Sequence, residues 1–271
     1  MMFRLLKTVG FVLLIAVFSL AGTILAQDDH GDEGDEHGHE EAPHWSYEGE
    51  TGPEHWGELS EDYTLCVDGS AQSPIDIGEV IDADLTNITF NYGETALNIR
   101  NNGHTVQVDV DAGSSITYQG ITYNLLQFHF HHPSEHTVNG QAADMEIHFV
   151  HQNPHSGNLA VVGVLLVGGA DENAAYEAVL ANAPTEKTDG AIMVDGVTLD
   201  LNSLLPEQTT YFTYNGSLTT PPCSEIVRWL LLDNVVELTD EQVEAFASIF
   251  ENNARPVQSS EGRDVFHDTS E

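Results

Sequence analysis

Basic side chains are almost missing from this chain. Seven Lys and Arg stand against 44 Asp and Glu, a formal net charge of -37 over 271 residues. So few cations leave no patch that could neutralise phosphates, which excludes nucleic acid as a partner. An anionic membrane surface is excluded for the same reason. The charge describes a self-repelling surface suited to high salt, where screening tolerates it; recruitment of cations is the competing reading. Cysteine is scarce as well. The two present, Cys66 and Cys223, fit one disulfide in an exported protein, or two buried free thiols, and cannot make a disulfide framework. No segment recurs with a period of about 20–50 residues, which excludes a solenoid or propeller. Beyond residue 26 no apolar run is long enough to span a bilayer.

What is present divides the chain into three parts. Residues 1–26 carry Arg4 and Lys7 ahead of an apolar run from Val9 to Leu25, then Ala26. That is the layout of a secretory signal peptide and predicts export, to the periplasm or outside the cell. An uncleaved anchor is the alternative; the mature form is expected to have no membrane contact. Residues 27–52 are low in complexity, acidic and histidine-rich, with His30, His37, His39 and His44 among carboxylates. Such a stretch buries too little apolar surface to order itself, so a disordered linker is expected. It is either a solvated spacer or a weak metal-gathering tail. Residues 53–271 are expected to form one folded domain, opening near Pro53-Glu54-His55-Trp56-Gly57.

Within that domain short alternating runs follow one another: 87–92, 96–100, 106–110, 116–118 and 125–131. Gly, Asn and Asp punctuate them. This spacing predicts a mostly antiparallel β domain. Leu159–Val167 is continuously apolar and predicts a central strand buried on both faces; Val227–Leu232 predicts another. Helices are expected over Asp171–Ala181 and over Thr239–Asn252, the latter capped by Thr239 with Asp240 and Glu241 in its first turn. The fold class is therefore mainly β: a single domain with a large, mostly antiparallel twisted central sheet and a few short peripheral helices.

Two of these strands carry the chemistry. Side chains on a strand alternate faces, so Gln127, His129 and His131 share one face of the first, and Glu146, His148 and Val150 one face of the second. Pro133 and the Asn139-Gly140 turn lie between them, which suits a wide antiparallel connection. Three imidazoles at one point leave one tetrahedral position on a zinc ion open, a catalytic geometry and not a structural one. A ligating imidazole usually donates its other ring N–H to a carboxylate or carbonyl. Gln127 and Glu146, each two residues before a histidine, are the right types for that.

The same residues resemble the exported, bacterial α-class carbonic anhydrases. Gln127-Phe128-His129-Phe130-His131, Ser134-Glu135-His136-Thr137-Val138 and Glu146-Ile147-His148-Phe149-Val150-His151 match the family's zinc strands and the motif between them. Asn101-Asn102-Gly103-His104 and Tyr214-Asn215-Gly216-Ser217-Leu218-Thr219-Thr220-Pro221-Pro222-Cys223 match two of its loops, and Asn253-Ala254-Arg255-Pro256-Val257-Gln258 a third. The resemblance runs from about His55 to Arg263.

It implies Zn2+ on His129, His131 and His148, with zinc-bound hydroxide attacking CO2 to give bicarbonate. It implies that Thr219 donates a hydrogen bond to Glu135 and orients the hydroxide, and that His104 relays protons to buffer. Gln127, Glu146 and the Asn253 carbonyl would orient the three ligands in turn. Val150, Val161, Leu218, Thr220, Val227 and Trp229 would line the substrate pocket. The family's disulfide would join Cys66 to Cys223, and Ser73–Pro74 and Pro221–Pro222 would be cis. A homodimer is compatible with the resemblance. One departure is expected: Glu58 stands where a tyrosine usually follows the His-Trp pair. From a different class, the His-rich tail suggests an exported zinc-binding or buffering protein without catalysis. Metal content of a chain lacking residues 27–52 separates the two.

Overall fold

The computed structural model describes residues 42–170 and 172–270. The signal segment and residues 27–41 lie outside them. Among the described residues one large sheet has thirteen strands, ten of which form a continuous path across it. In chain order they are β1 (Ile81–Ala83), β2 (Glu94–Asn101), β3 (Val106–Asp109), β4 (Ile121–His131) and β5 (Met145–Gln152), then β6 (Leu159–Gly169), β7 (Ile192–Asp200), β8 (Tyr211–Gly216), β9 (Val227–Leu232) and β10 (Phe266–Asp268). Their spatial order is β7-β2-β3-β4-β5-β6-β9-β8-β10-β1. Only β6–β9 and β10–β1 pair in parallel along this path, so the sheet is mostly antiparallel, as its alternating segments predict.

The centre of the sheet is where the sequence is most apolar. β6 is buried from Leu159 to Leu166. It lies between β5 and β9, so both of its edges are paired. Side chains leaving opposite faces of the sheet feed two cores. One gathers Phe128, Phe130, Ile147, Phe149, Val162 and Val164 against Tyr176 and Phe246. The other gathers Val161, Leu165, Val227, Trp229 and Leu231 with Ile75 and Tyr214.

Four short helices flank the sheet: α1 (Trp56–Leu59), α2 (Leu65–Asp68), α3 (Ala174–Leu180) and α4 (Asp240–Ala247). Helix α4 begins where expected, with Thr239 and Gln242 forming a reciprocal capping box. It ends five residues earlier than the expected Asn252. The chain beyond it is pulled to the sheet instead, where Asn253 N–H donates to the His132 carbonyl at 3.0 Å. The β4–β5 connection turns on Asn139 and Gly140, with φ of 51° and 76°, the pair of positive values a tight Asn-Gly hairpin turn needs.

The expected domain start at residue 53 falls inside the described body, which begins at Ala42. Trp45 and Tyr47 pack edge-on against the buried Trp56, and Trp56 Nε1 donates to the Ser46 carbonyl at 2.9 Å. Two aromatic rings supply the apolar surface that the acidic stretch before them lacks.

Candidate metal centre

β4 and β5 pair with His148 directly opposite His129 and Glu146 opposite His131. Adjacent antiparallel strands thus carry three imidazoles to one point, and candidate ligand nitrogens of His129, His131 and His148 lie within 4.8 Å of one another. Each ring is held by its other nitrogen. His129 Nδ1 donates to Gln127 Oε1 at 2.8 Å. His131 Nδ1 donates to the Asn253 carbonyl at 2.8 Å. His148 Nε2 donates to Glu146 Oε1 at 2.8 Å. The nitrogens left over are Nε2, Nε2 and Nδ1. His131 Nε2 is fully buried and has no hydrogen-bond partner. A buried polar atom without a partner is costly, and a cation held by three imidazoles would satisfy it. The donor set fits zinc.

The electrostatics agree with neutral, ligating imidazoles on β4. Burial, reinforced by the neighbouring histidines, holds His129 well below its ordinary pKa. Burial also lowers His131 against the opposing charge of Glu135. His148 moves the other way: burial would lower it, but the charge and hydrogen bond of Glu146 outweigh that and raise it. Glu146 stays well below the carboxylate range because His136 and His148 together overcome its desolvation.

Room for Glu146 comes from Gly163 on β6, paired opposite His148. A Cβ at that glycine would lie 2.9 Å from Glu146 Oε1 and 2.9 Å from Leu231 Cδ1. His136, named in a motif but given no role from sequence, is the second partner of Glu146. Its N–H and Nδ1 donate to the two carboxylate oxygens at 2.8 and 2.7 Å. Its Nε2 lies 2.7 Å from the Tyr214 hydroxyl.

Glu135 is buried beside the triad. Its Oε1 accepts from Arg255 N–H at 2.9 Å. Its Oε2 lies 3.5 Å from His131 Nε2 and 3.9 Å from His148 Nδ1, with no hydrogen-bond partner of its own. Thr219 is buried on the connection between β8 and β9, and no hydrogen bond to Glu135 is formed through Oε2. Val161, Val227 and Trp229 are buried in one cluster, with Val150 and Leu218 packed against it; Thr220 is half-buried. Cys66 and Cys223 are joined, with a Cα–Cα separation of 5.0 Å. Ser73–Pro74 and Pro221–Pro222 are cis, and so is His132–Pro133, which the sequence did not flag.

His104 sits in the Asn102-Gly103 turn, where Asn102 Oδ1 accepts its N–H at 2.9 Å. Its ring stacks on Trp45, with centroids 3.7 Å apart and planes 8° apart. Burial, then the charges of Lys187 and His44, lower it to about 4. An imidazole that titrates near neutrality, as a relay needs, is not what this conformation provides.

Glu58, expected where a tyrosine usually stands, lies beside a second His-Trp pair, His55-Trp56. Glu58 is an exposed residue of α1 facing His55 at 3.5 Å. An earlier His-Trp pair in the acidic stretch, His44-Trp45-Ser46-Tyr47, also carries an aromatic hydroxyl. Tyr47 is pushed well above the usual phenol range by burial and then by the charge of Glu135.

The fold and the three-histidine centre together define a mainly β protein with a buried histidine group of the kind that holds zinc. The sequence pattern of the eukaryotic-type carbonic anhydrases matches residues 51–269. A carbonic anhydrase of Nostoc sp. is 45% identical over 222 residues, covering 79% of this chain and 82% of the relative. One from Klebsiella pneumoniae is 42% identical, covering 83% and 91%. The solved α-carbonic anhydrase of Thermovibrio ammonificans, in complex with the inhibitor sulfanilamide, superposes with a TM-score of 0.79 at 42% identity, covering 83% of this chain and 99% of that one. The chain belongs to the α-class carbonic anhydrase family and is a carbonic anhydrase, with CO2 and bicarbonate as the substrate pair.

Proposed function

We propose that the protein hydrates CO2 reversibly to bicarbonate and a proton at zinc held by His129 Nε2, His131 Nε2 and His148 Nδ1. The observation that carries this reading is the buried, partnerless His131 Nε2 among three imidazoles whose other nitrogens are all engaged. Zinc in that position supplies Lewis acidity and lowers the pKa of water toward neutrality.

The remaining work falls to side chains. Gln127, Asn253 and Glu146 fix the tautomer and aim of the three rings. Thr219 and Glu135 orient the nucleophile by a hydrogen bond from the hydroxyl to the free Oε2 of the carboxylate. Val150, Val161, Leu218, Val227 and Trp229, with Thr220 at the edge, offer a small apolar wall to a small apolar substrate. His104 passes the proton outward once its ring leaves Trp45, since a group held at about 4 is too weak a base at neutral pH.

We also place the protein outside the cytoplasm. The disulfide within the body and the basic-apolar start of the chain support export.

His148→Ala should abolish zinc retention and CO2 hydration together. Metal analysis and stopped-flow hydration on one sample check this; activity surviving without His148 would overturn the ligand set. The zinc-buffering alternative predicts instead several weakly held ions that disappear when residues 27–52 are removed.

A further inference from the structure

Arg255 is an unusual use of a rare resource. Of the seven Lys and Arg, Arg4 and Lys7 lie outside the described residues. Arg100, Lys187, Arg228, Arg255 and Arg263 are left. Of these only Arg255 is buried, at 2% exposure. Its guanidinium lies over the ring of Trp56, 5.5 Å from the centroid. Nη1 donates to Gln72 Oε1 at 2.9 Å and to the Ser73 carbonyl at 2.8 Å, and Nη2 to the Cys66 carbonyl at 2.9 Å. Burial lowers its pKa to about 10 against the opposing charge of Glu135, so it remains cationic at neutral pH.

All three acceptors lie on the segment 66–73, and that segment is tied to the loop bearing Thr219. Cys66 is bonded to Cys223. Gln72 Nε2 donates to the Cys223 carbonyl at 3.0 Å. Ser73 N–H donates to Ser217 Oγ at 2.9 Å, and Ser217 N–H to Ser73 Oγ at 3.1 Å. Cys223 N–H closes the loop on the Thr220 carbonyl at 2.9 Å. The main-chain N–H of Arg255 itself donates to Glu135 Oε1 at 2.9 Å. One residue therefore touches the carboxylate with its backbone and the disulfide-bearing segment with its side chain.

We propose that Arg255 is a positioning residue for the hydration reaction, registering Glu135 against the Thr219 loop through the Cys66–Cys223 segment. The bridge then sets the geometry of the reaction as well as the stability of the fold. This rests on the orienting role of Thr219 and Glu135 proposed above. A planar guanidinium can hold three acceptors in a fixed fork; a lysine ammonium keeps the charge without the fork.

The test is a cycle in the full chain: Arg255→Lys, Cys66→Ser with Cys223→Ser, and all three together. Zinc content and circular dichroism are measured on each, and Arg255→Gln is added for comparison. Arg255→Lys and the bridge-free pair should each lower kcat about tenfold with KM and zinc content unchanged, the scale expected of a small misplacement. The combined variant should fall no further than the worse single change, because both act on one linkage. Wild-type kcat in Arg255→Lys, or losses that multiply in the combined variant, would overturn the proposal. Glu135→Gln separates the premises. If it leaves kcat intact, the orienting role of Glu135 fails and takes the positioning role with it. If it lowers kcat while Arg255→Lys does not, only the positioning role fails.

Discussion

His104 and His148 are both imidazoles of the proposed reaction path, and the protein drives them in opposite directions. The carboxylate of Glu146 makes the ring of His148 a better base. The indole of Trp45 helps bury His104, which falls to about 4. Trp45→Ala should let His104 rise toward its ordinary value and speed turnover in weak buffer. Imidazole resonances followed through a pH titration check this; a midpoint still near 4 would show that Trp45 is not the source of the depression. The sign for stability follows. The unfolded chain takes up this proton before the folded one does, so between about pH 6.5 and 4 acidification favours unfolding, and Trp45→Ala should flatten that slope. Residue type and spacing singled out the three histidines that the fold brings together. They did not predict which are basic, because that depends on neighbours contributed by other segments.

At the scale of strands and turns the sequence was most legible where structure is local. Alternation at His129 and His131 and the Asn139-Gly140 turn depend on residues a few positions apart. The strands, the hairpin and the facing of the imidazoles follow from them. Contacts made at long range left no such trace. The Cys66 carbonyl reached by Arg255 is 189 positions away, and nothing near Arg255 announces it. Gly163 is an intermediate case. It reads as one more small residue in an apolar run, yet its missing side chain is what admits Glu146. Gly163→Ala should push the carboxylate off His148 and weaken zinc binding by about 10–100-fold, the usual cost of losing a partner to a metal-bound histidine. Competition with a zinc chelator measures it; unchanged affinity would mean that Leu231 yields instead.

Across the whole molecule charge is the dominant quantity. The five cations of the described body cannot offset its carboxylates, and one of the five is buried. Self-repulsion of this kind works against the compact state. Raising salt from 0.01 to 1 M shortens the screening length from about 30 to about 3 Å, so the melting temperature should rise steeply over that range. A flat response in calorimetry would show that the acidic surface costs the fold nothing. The sequence announced this property in full, since net charge is a sum and needs no geometry.

Asn253 joins parts of the molecule that the proposed mechanism treats as separate. Its carbonyl takes the His131 ring N–H, its Oδ1 takes the His132 N–H, and its Nδ2 donates to the carbonyls of Phe130 and His104. The proposed metal ligand and the proposed proton relay are thus measured from one amide, as two holes are drilled from a single datum. An error in placing that amide displaces both together and leaves their separation unchanged. The tolerance that the path between them must meet is therefore set by one short side chain and not by the accumulated play of two loops.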